Sequence, residues 1–200
     1  LLDYLRSELH FASTPWRNLH SIGFFPPPRE CSMPELPEAE VAARQLRERV
    51  VGATVRDCWI GREDIVREGL PSLGQYRQAK ITGVERKGKS VILHFLCGKE
   101  PRFLVAELGM TGLLLFRSTL TKHPQHTHFV LHLDGCCEPD IKYWNPRRFG
   151  RLSLLDRAGL DRYVARRFGH DPLTISHEQF LRVLRATRSR LKSLLMHQQV

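Results

Sequence analysis

Lys80–Glu85, Arg86-Lys87-Gly88-Lys89 and Ser90–Leu96 read as two β-like runs joined by a tight basic connection. Gly88 permits the turn, because a residue without Cβ enters positive φ at little steric cost. The lysines project towards whatever the neighbouring surface binds; a solvated hairpin tip is the plain alternative. Runs of the same kind lie on both sides: Thr54–Ile60 before, then Phe103–Leu108, Leu113–Phe116, His128–Leu133, Ile141–Trp144 and Arg151–Leu155. Gly, Pro, Asp and Lys clusters separate them. So many short strands at this spacing predict a β-sandwich or barrel.

Outward towards the N-terminus the pattern turns helical. Ala39, Ala43, Leu46 and Val50 repeat at helical spacing, and Gly52 supplies a stop. Immediately before stands Met33-Pro34-Glu35-Leu36-Pro37-Glu38-Ala39-Glu40. Read plainly, this is a proline-initiated helix with acids in its first turn. Read chemically, it offers a nucleophile. If Met33 is the initiator and is removed, Pro34 gains a free secondary amine, with a reference pKa of about 8 against about 10.4 for lysine. The positive end of the helix disfavours its ammonium form further, which suits Schiff-base chemistry. An internal Pro34 has only an amide nitrogen. Residues 1–32 begin with Leu, end in Pro26-Pro27-Pro28 and lack the parts of a signal peptide. They read as a foreign leader or a mis-start.

Outward towards the C-terminus, the character becomes helical again after Asp156. Ser176-His177-Glu178-Gln179 reads as a capping box, with an apolar stripe Phe180, Leu181, Leu184 behind it. A second helical segment covers Arg190–Gln199. The chain carries +10 formal charge at pH 7 and a pI near 9.8, which suits a polyanionic partner, most simply nucleic acid. No apolar window is long enough for a membrane span. The five cysteines form no C-x-x-C pair, which argues against a disulfide framework or a zinc site in this stretch and fits a reducing cytoplasm. Cys136-Cys137, in a turn after Asp134-Gly135, reads as incidental.

Two further loops carry chemistry. Leu108-Gly109-Met110-Thr111-Gly112 places a flexible apolar side chain between glycines, which suits insertion into a partner as well as folding back on a core. Trp144-Asn145-Pro146-Arg147-Arg148-Phe149-Gly150 sets paired arginines beside an aromatic side chain. Such a loop combines phosphate or base contact with a stacking wedge. A surface ion-pair loop would not need the Phe.

From Met33 to Val200 the sequence resembles the N-terminal part of a bacterial formamidopyrimidine-DNA glycosylase. The matching stretches are MPELPEAE, RKGKS, ELGMTG, HTHFVLHL, NPRRFGRL and LKSLLMHQQV, in the family's order and spacing. The endonuclease VIII branch typically has Gly in place of Leu36 and lacks the wedge split between a Met loop and an Arg–Phe loop. The resemblance implies that Pro34 attacks C1′ of a damaged nucleotide, that Glu35 protonates the sugar ring oxygen, and that Lys89 sits at the lesion phosphate and assists β-elimination. It implies that Met110, Arg147 and Phe149 fill the hole left by the extruded base, Arg147 pairing with the orphaned cytosine. His126, Arg188 and Lys192 would contact the DNA backbone. Two departures stand out: Glu107 occupies a position where the family usually has His, and His197 one where Asp is common.

The expected fold is α+β: a two-layered β-sandwich flanked by an N-terminal helix, then the start of an all-α helix-two-turn-helix domain. The expected division is leader 1–32, catalytic sandwich 33–167 and a truncated helical DNA-binding domain 168–200. The expected function is a base-excision-repair glycosylase/AP lyase acting on 8-oxoguanine and formamidopyrimidines by β,δ-elimination, monomeric, in the bacterial cytoplasm at the nucleoid, on double-stranded damaged DNA and without a membrane. No cofactor is expected in this stretch; a structural zinc and the δ-elimination arginine are expected in a C-terminal finger beyond it. A chain ending at Val200 is expected to grip DNA poorly and to be inactive alone. A non-catalytic damaged-DNA-binding protein with Pro34 blocked, an endonuclease VIII-like enzyme for oxidised pyrimidines, and a basic RNA-binding or ribosomal protein are the alternatives.

Overall fold

The computed structural model describes residues 34–116, 124–186 and 188–195. The leader expected at 1–32, Met33, His197 and the last turns of the second C-terminal helical segment lie outside them. The chain opens with α1 (Leu36–Val50). Its start is built from the acids: the Glu38 carboxylate accepts a hydrogen bond from the Glu35 N–H at 2.9 Å, satisfying a donor that the first helical turn leaves free. Ala39, Ala43, Leu46 and Val50 are each buried, as their spacing predicts. Gly52, at φ +95°, ends the helix and donates its N–H to the Ile81 carbonyl. That bond leads the chain straight into the sheet.

The strands are β1 (Thr54–Ile60), β2 (Val66–Glu68), β3 (Lys80–Lys87), β4 (Ser90–Cys97), β5 (Glu100–Glu107), β6 (Leu113–Phe116), β7 (Thr127–Asp134), β8 (Asp140–Trp144) and β9 (Leu152–Leu155). They form a nine-stranded sheet in the order β2-β9-β5-β4-β3-β1-β7-β8-β6. It is mixed: β2 and β9 run parallel, the other described pairs antiparallel. The opening hairpin is β3–β4, registered from Lys80 opposite Leu96 to Lys87 opposite Ser90, so Gly88 and Lys89 form the turn. β3 meets β1 through one register pair, Thr54 with Lys80. That thin junction divides the sheet into two ladders. Val84, Leu93 and Phe95 from one and Phe129, Leu131 and Tyr143 from the other enter the same buried cluster, capped by Leu46 and Val50 of α1. Helix and sheet together make the fold α+β.

Two elements were not individually legible. β2 is three residues long and exists by its pairing with β9; strands this short carry almost no periodic signal. β5 begins at Glu100, so Pro101 lies within a strand, opposite Leu96. Beyond β9, the helical character expected after Asp156 becomes α2 (Arg157–Arg167), α3 (His177–Ala186) and α4 (Leu191–Leu195). Asp156 caps α2 by accepting from the Gly159 N–H at 2.7 Å. Leu160 and Tyr163 seat α2 on a second cluster with Ile92, Phe103, Val105 and Leu155. The Ser176–Gln179 capping box is reciprocal: the Gln179 N–H donates to Ser176 Oγ, and the Ser176 N–H to Gln179 Oε1.

Candidate active site

The start of α1 and the β3–β4 turn come together at one end of the sheet. Pro34 is buried at the root of the helix. Beside it, the Glu35 carboxylate meets the Lys89 ammonium at 2.5 Å, with both side chains partly open to solvent. Glu35, Leu36, Lys87, Gly88 and Lys89 form one wall of a cleft of about 470 Å³, and the stretch from Phe168 to Pro172 faces them. Glu35 and Lys89, two of the three residues expected to carry the chemistry, are thus in direct contact, and the third, Pro34, directly precedes Glu35 in the chain.

A buried arginine holds this arrangement. Arg86, its side chain 4% exposed, donates Nε–H to Glu40 of α1 at 2.8 Å and a fork of hydrogen bonds to Asp171 at 2.6 and 2.7 Å. It also donates to the Gly88 carbonyl. One side chain therefore ties the helix, the turn and the opposite wall together. Bonds from Arg44 and then Arg86 lower the Glu40 pKa. Burial works against the charge on Asp171, but Arg86 and the Leu173 N–H outweigh it and bring that pKa below the ordinary carboxylate value.

The two loops expected to form a wedge interlock through backbone. A Cβ on Gly109 would stand 2.4 Å from the Gly150 nitrogen, and one on Gly150 would stand 2.0 Å from the Glu107 carbonyl oxygen. Asn145, wholly buried, is the clip between them. Its Oδ1 accepts from Thr111 Oγ1 and from the Arg148 N–H, and its Nδ2 donates to Tyr143 Oη. The Tyr143 hydroxyl in turn donates to the Glu107 carbonyl. Phe149 is 56% exposed, with the Arg147 guanidinium 5.0 Å from its ring centroid. Met110 is half-buried rather than exposed. His126 stacks edge-on with Trp144, while Arg188 and Lys192 are exposed on the helical segment.

Residues 33–152 match the model of the formamidopyrimidine-DNA glycosylase N-terminal domain. The chain belongs to that family. The formamidopyrimidine-DNA glycosylase of Thermomicrobium roseum is 34% identical over 182 residues, covering 83% of this chain and 62% of the relative. The crystal structure of the MutM (Fpg) protein from Thermus thermophilus superposes with a TM-score of 0.65 at 33% identity, over 82% of this chain and 57% of that one. The Lactococcus lactis enzyme non-covalently bound to DNA containing an AP site, 24% identical over 82% of this chain and 62% of that one, has the same fold at a TM-score of 0.65. The chain spans about three-fifths of the length of these relatives.

Within this member of the formamidopyrimidine-DNA glycosylase family, five side chains that the sequence reading did not single out, Asn145, Thr111, Arg86, Glu40 and Asp171, hold the loops and the cleft walls by hydrogen bonds. Asn145 carried a signal, an amide beside the Pro of the wedge loop. For Arg86 none existed, because its partners lie 46 and 85 residues away. Among the described residues no three His, Cys, Asp or Glu side chains are placed to share a metal ion. No described helix is long and apolar enough to cross a membrane. Burial pushes the Cys58 thiol up to about 12, which makes it unreactive at neutral pH.

Proposed function

We propose that this chain carries the catalytic part of a DNA glycosylase that removes oxidised purines such as 8-oxoguanine and formamidopyrimidines, with AP-lyase activity, in the bacterial cytoplasm at the nucleoid. The observation that carries the reading is the Glu35–Lys89 contact beside Pro34 at the mouth of a cleft. In the processed protein the Pro34 amine forms a bond to C1′ and gives up its proton. The bond from C1′ to the base breaks, its electron pair leaving with the base, which takes up the amine's proton; Glu35, protonated for this step, delivers its own proton to the ring oxygen as the C1′–O4′ bond opens to an iminium. Loss of a C2′ proton then expels the 3′ phosphate, with Lys89 stabilising the departing charge.

The wedge completes the reading. Extruding a base costs a few kcal/mol of stacking, and Met110, Arg147 and Phe149 are the side chains that would fill the vacated space. His126, Arg188 and Lys192 supply backbone contacts from the flanks, and the zinc expected of the family enters no step written here. We place the catalytic unit at 33–167 and the beginning of a helical DNA-binding unit at 168–200. Glu35→Gln in the full-length protein tests the assignment. It should slow excision of 8-oxoguanine by about 10²–10⁴-fold while duplex affinity stays near that of the parent. Excision at the parental rate would remove Glu35 from the chemistry.

A further inference from the structure

Lys89 also lines a second, wider cleft of about 890 Å³, which shares Phe168 with the first. Arg67, Arg162, Arg166 and Arg167 join it there, against two carboxylates, Glu68 and Glu107. The position of Glu107 is unusual. Its Oε1 receives the Tyr163 hydroxyl at 3.0 Å, Arg67 Nη1 at 2.8 Å and Arg167 Nη1 at 3.1 Å. The side chain is 14% exposed, whereas Arg67 and Arg167 are 40% and 41% exposed. Donors from β2 and α2 thus converge on one covered oxygen at the end of β5, with two guanidinium groups still open to solvent. Two guanidiniums and a hydroxyl aimed at one point form a donor set suited to a phosphate oxygen.

We propose that Glu107 is a built-in competitor: its carboxylate occupies, in the free protein, an anion position that a phosphodiester takes when the ligand binds. A phosphodiester offers oxygens enough to engage both arginine forks, which the single Oε1 does not. The two guanidinium groups are themselves partly exposed, so water screens their side of the pairs and Arg67 and Arg167 can change partners. Displaced Glu107 then faces the incoming phosphate charge, and occupancy demands that the neighbouring contacts also be made. The anion's source is taken to be the backbone of duplex DNA, and that part rests on the function proposed above; free phosphate or a nucleotide would use the same chemistry.

The test compares full-length parent, Glu107→Gln and Arg167→Gln by calorimetric titration with inorganic phosphate, a nucleoside monophosphate and an undamaged duplex. Matched sodium chloride controls fix the ionic strength, and melting curves confirm folding. Glu107→Gln keeps an oxygen for Tyr163 and removes the charge. It should bind phosphate and duplex about fivefold more tightly, the effect of one unit charge near 4 Å in a water-like dielectric. Arg167→Gln should weaken both by a similar factor. Phosphate affinity unchanged or reduced in Glu107→Gln overturns the proposal. If Glu107→Gln fails to fold, Arg167→Gln decides alone: phosphate bound as tightly as by the parent overturns it. A gain for phosphate or nucleotide without one for duplex upholds the anion site and overturns its assignment to DNA.

Discussion

Gly150 has no room for a side chain: a Cβ there would lie 2.0 Å from the Glu107 carbonyl oxygen and 2.3 Å from Tyr143 Oη. Gly150→Ala should therefore force the wedge loops apart and destabilise the protein by about 3 kcal/mol, in the range for overpacked sites, as a denaturant melt would report. A melt within error of the parent would mean that the loops slide freely. The wedge residues allow a sharper functional distinction. Truncating Phe149 or Met110 to Ala in the full-length enzyme should weaken action on 8-oxoguanine duplexes while sparing pre-formed abasic sites, which demand less base extrusion. Equal losses on both substrates would mean that these side chains only support the core. At this scale part was legible: the basic turn with Lys89 and the loop with Arg147 and Phe149 stood out by residue type and neighbours, whereas a role for Glu35 came only with the family resemblance. Asn145 was legible only as an amide beside Pro146, since its worth lies in reaching Thr111, 34 residues earlier, through a register the strands set.

At the scale of elements, the β3–β4 hairpin does two jobs. It carries Lys89 at its tip and, one turn of backbone away, Arg86, which binds α1 and the 169–172 wall at once. Arg86→Met takes from Asp171 its guanidinium partner and leaves Glu40 with Arg44 alone, and should cost on the order of 3 kcal/mol. The pH dependence follows from the sign of the shifts. Both carboxylates have pKa values below their ordinary ones, so the folded state releases protons more easily than the unfolded one. Their contribution is complete above the ordinary carboxylate range and is lost as pH falls through the lowered values. Melts of the parent should show this acid-labile stability near pH 4 and below, and Arg86→Met should lose the part that Arg86 supplies, leaving what Arg44 and the Leu173 N–H hold. Identical pH profiles would deny the network its role. α1 and the longer strands were legible because burial imposes periods of 3.6 and 2 on them. β2 was not: it has three residues and one covered neighbour strand.

At the scale of the whole molecule, charge and family agree. On the function proposed, a chain of +10 should, in its full-length form, bind duplex DNA with an affinity that falls steeply with salt, log K against log salt having a slope of about −0.9 for each phosphate neutralised. Affinity that stays level from low to moderate salt would exclude a phosphate-driven interface. The basic balance pointed to a polyanion, but composition does not say where cations gather; that Glu107 sits among arginines of β2 and α2 is a product of folding. The central claim concerns Pro34, and borohydride trapping on 8-oxoguanine duplex tests it most directly. Full-length protein processed to begin at Pro34 should become covalently fixed to the DNA, because reduction turns the iminium into a stable amine. The same protein with Met33 and the preceding residues retained should not, since an amide nitrogen has its lone pair delocalised into the carbonyl. Equal trapping by the extended form, its leader shown intact by mass, would contradict the claim and move the nucleophile to a lysine, Lys89 first.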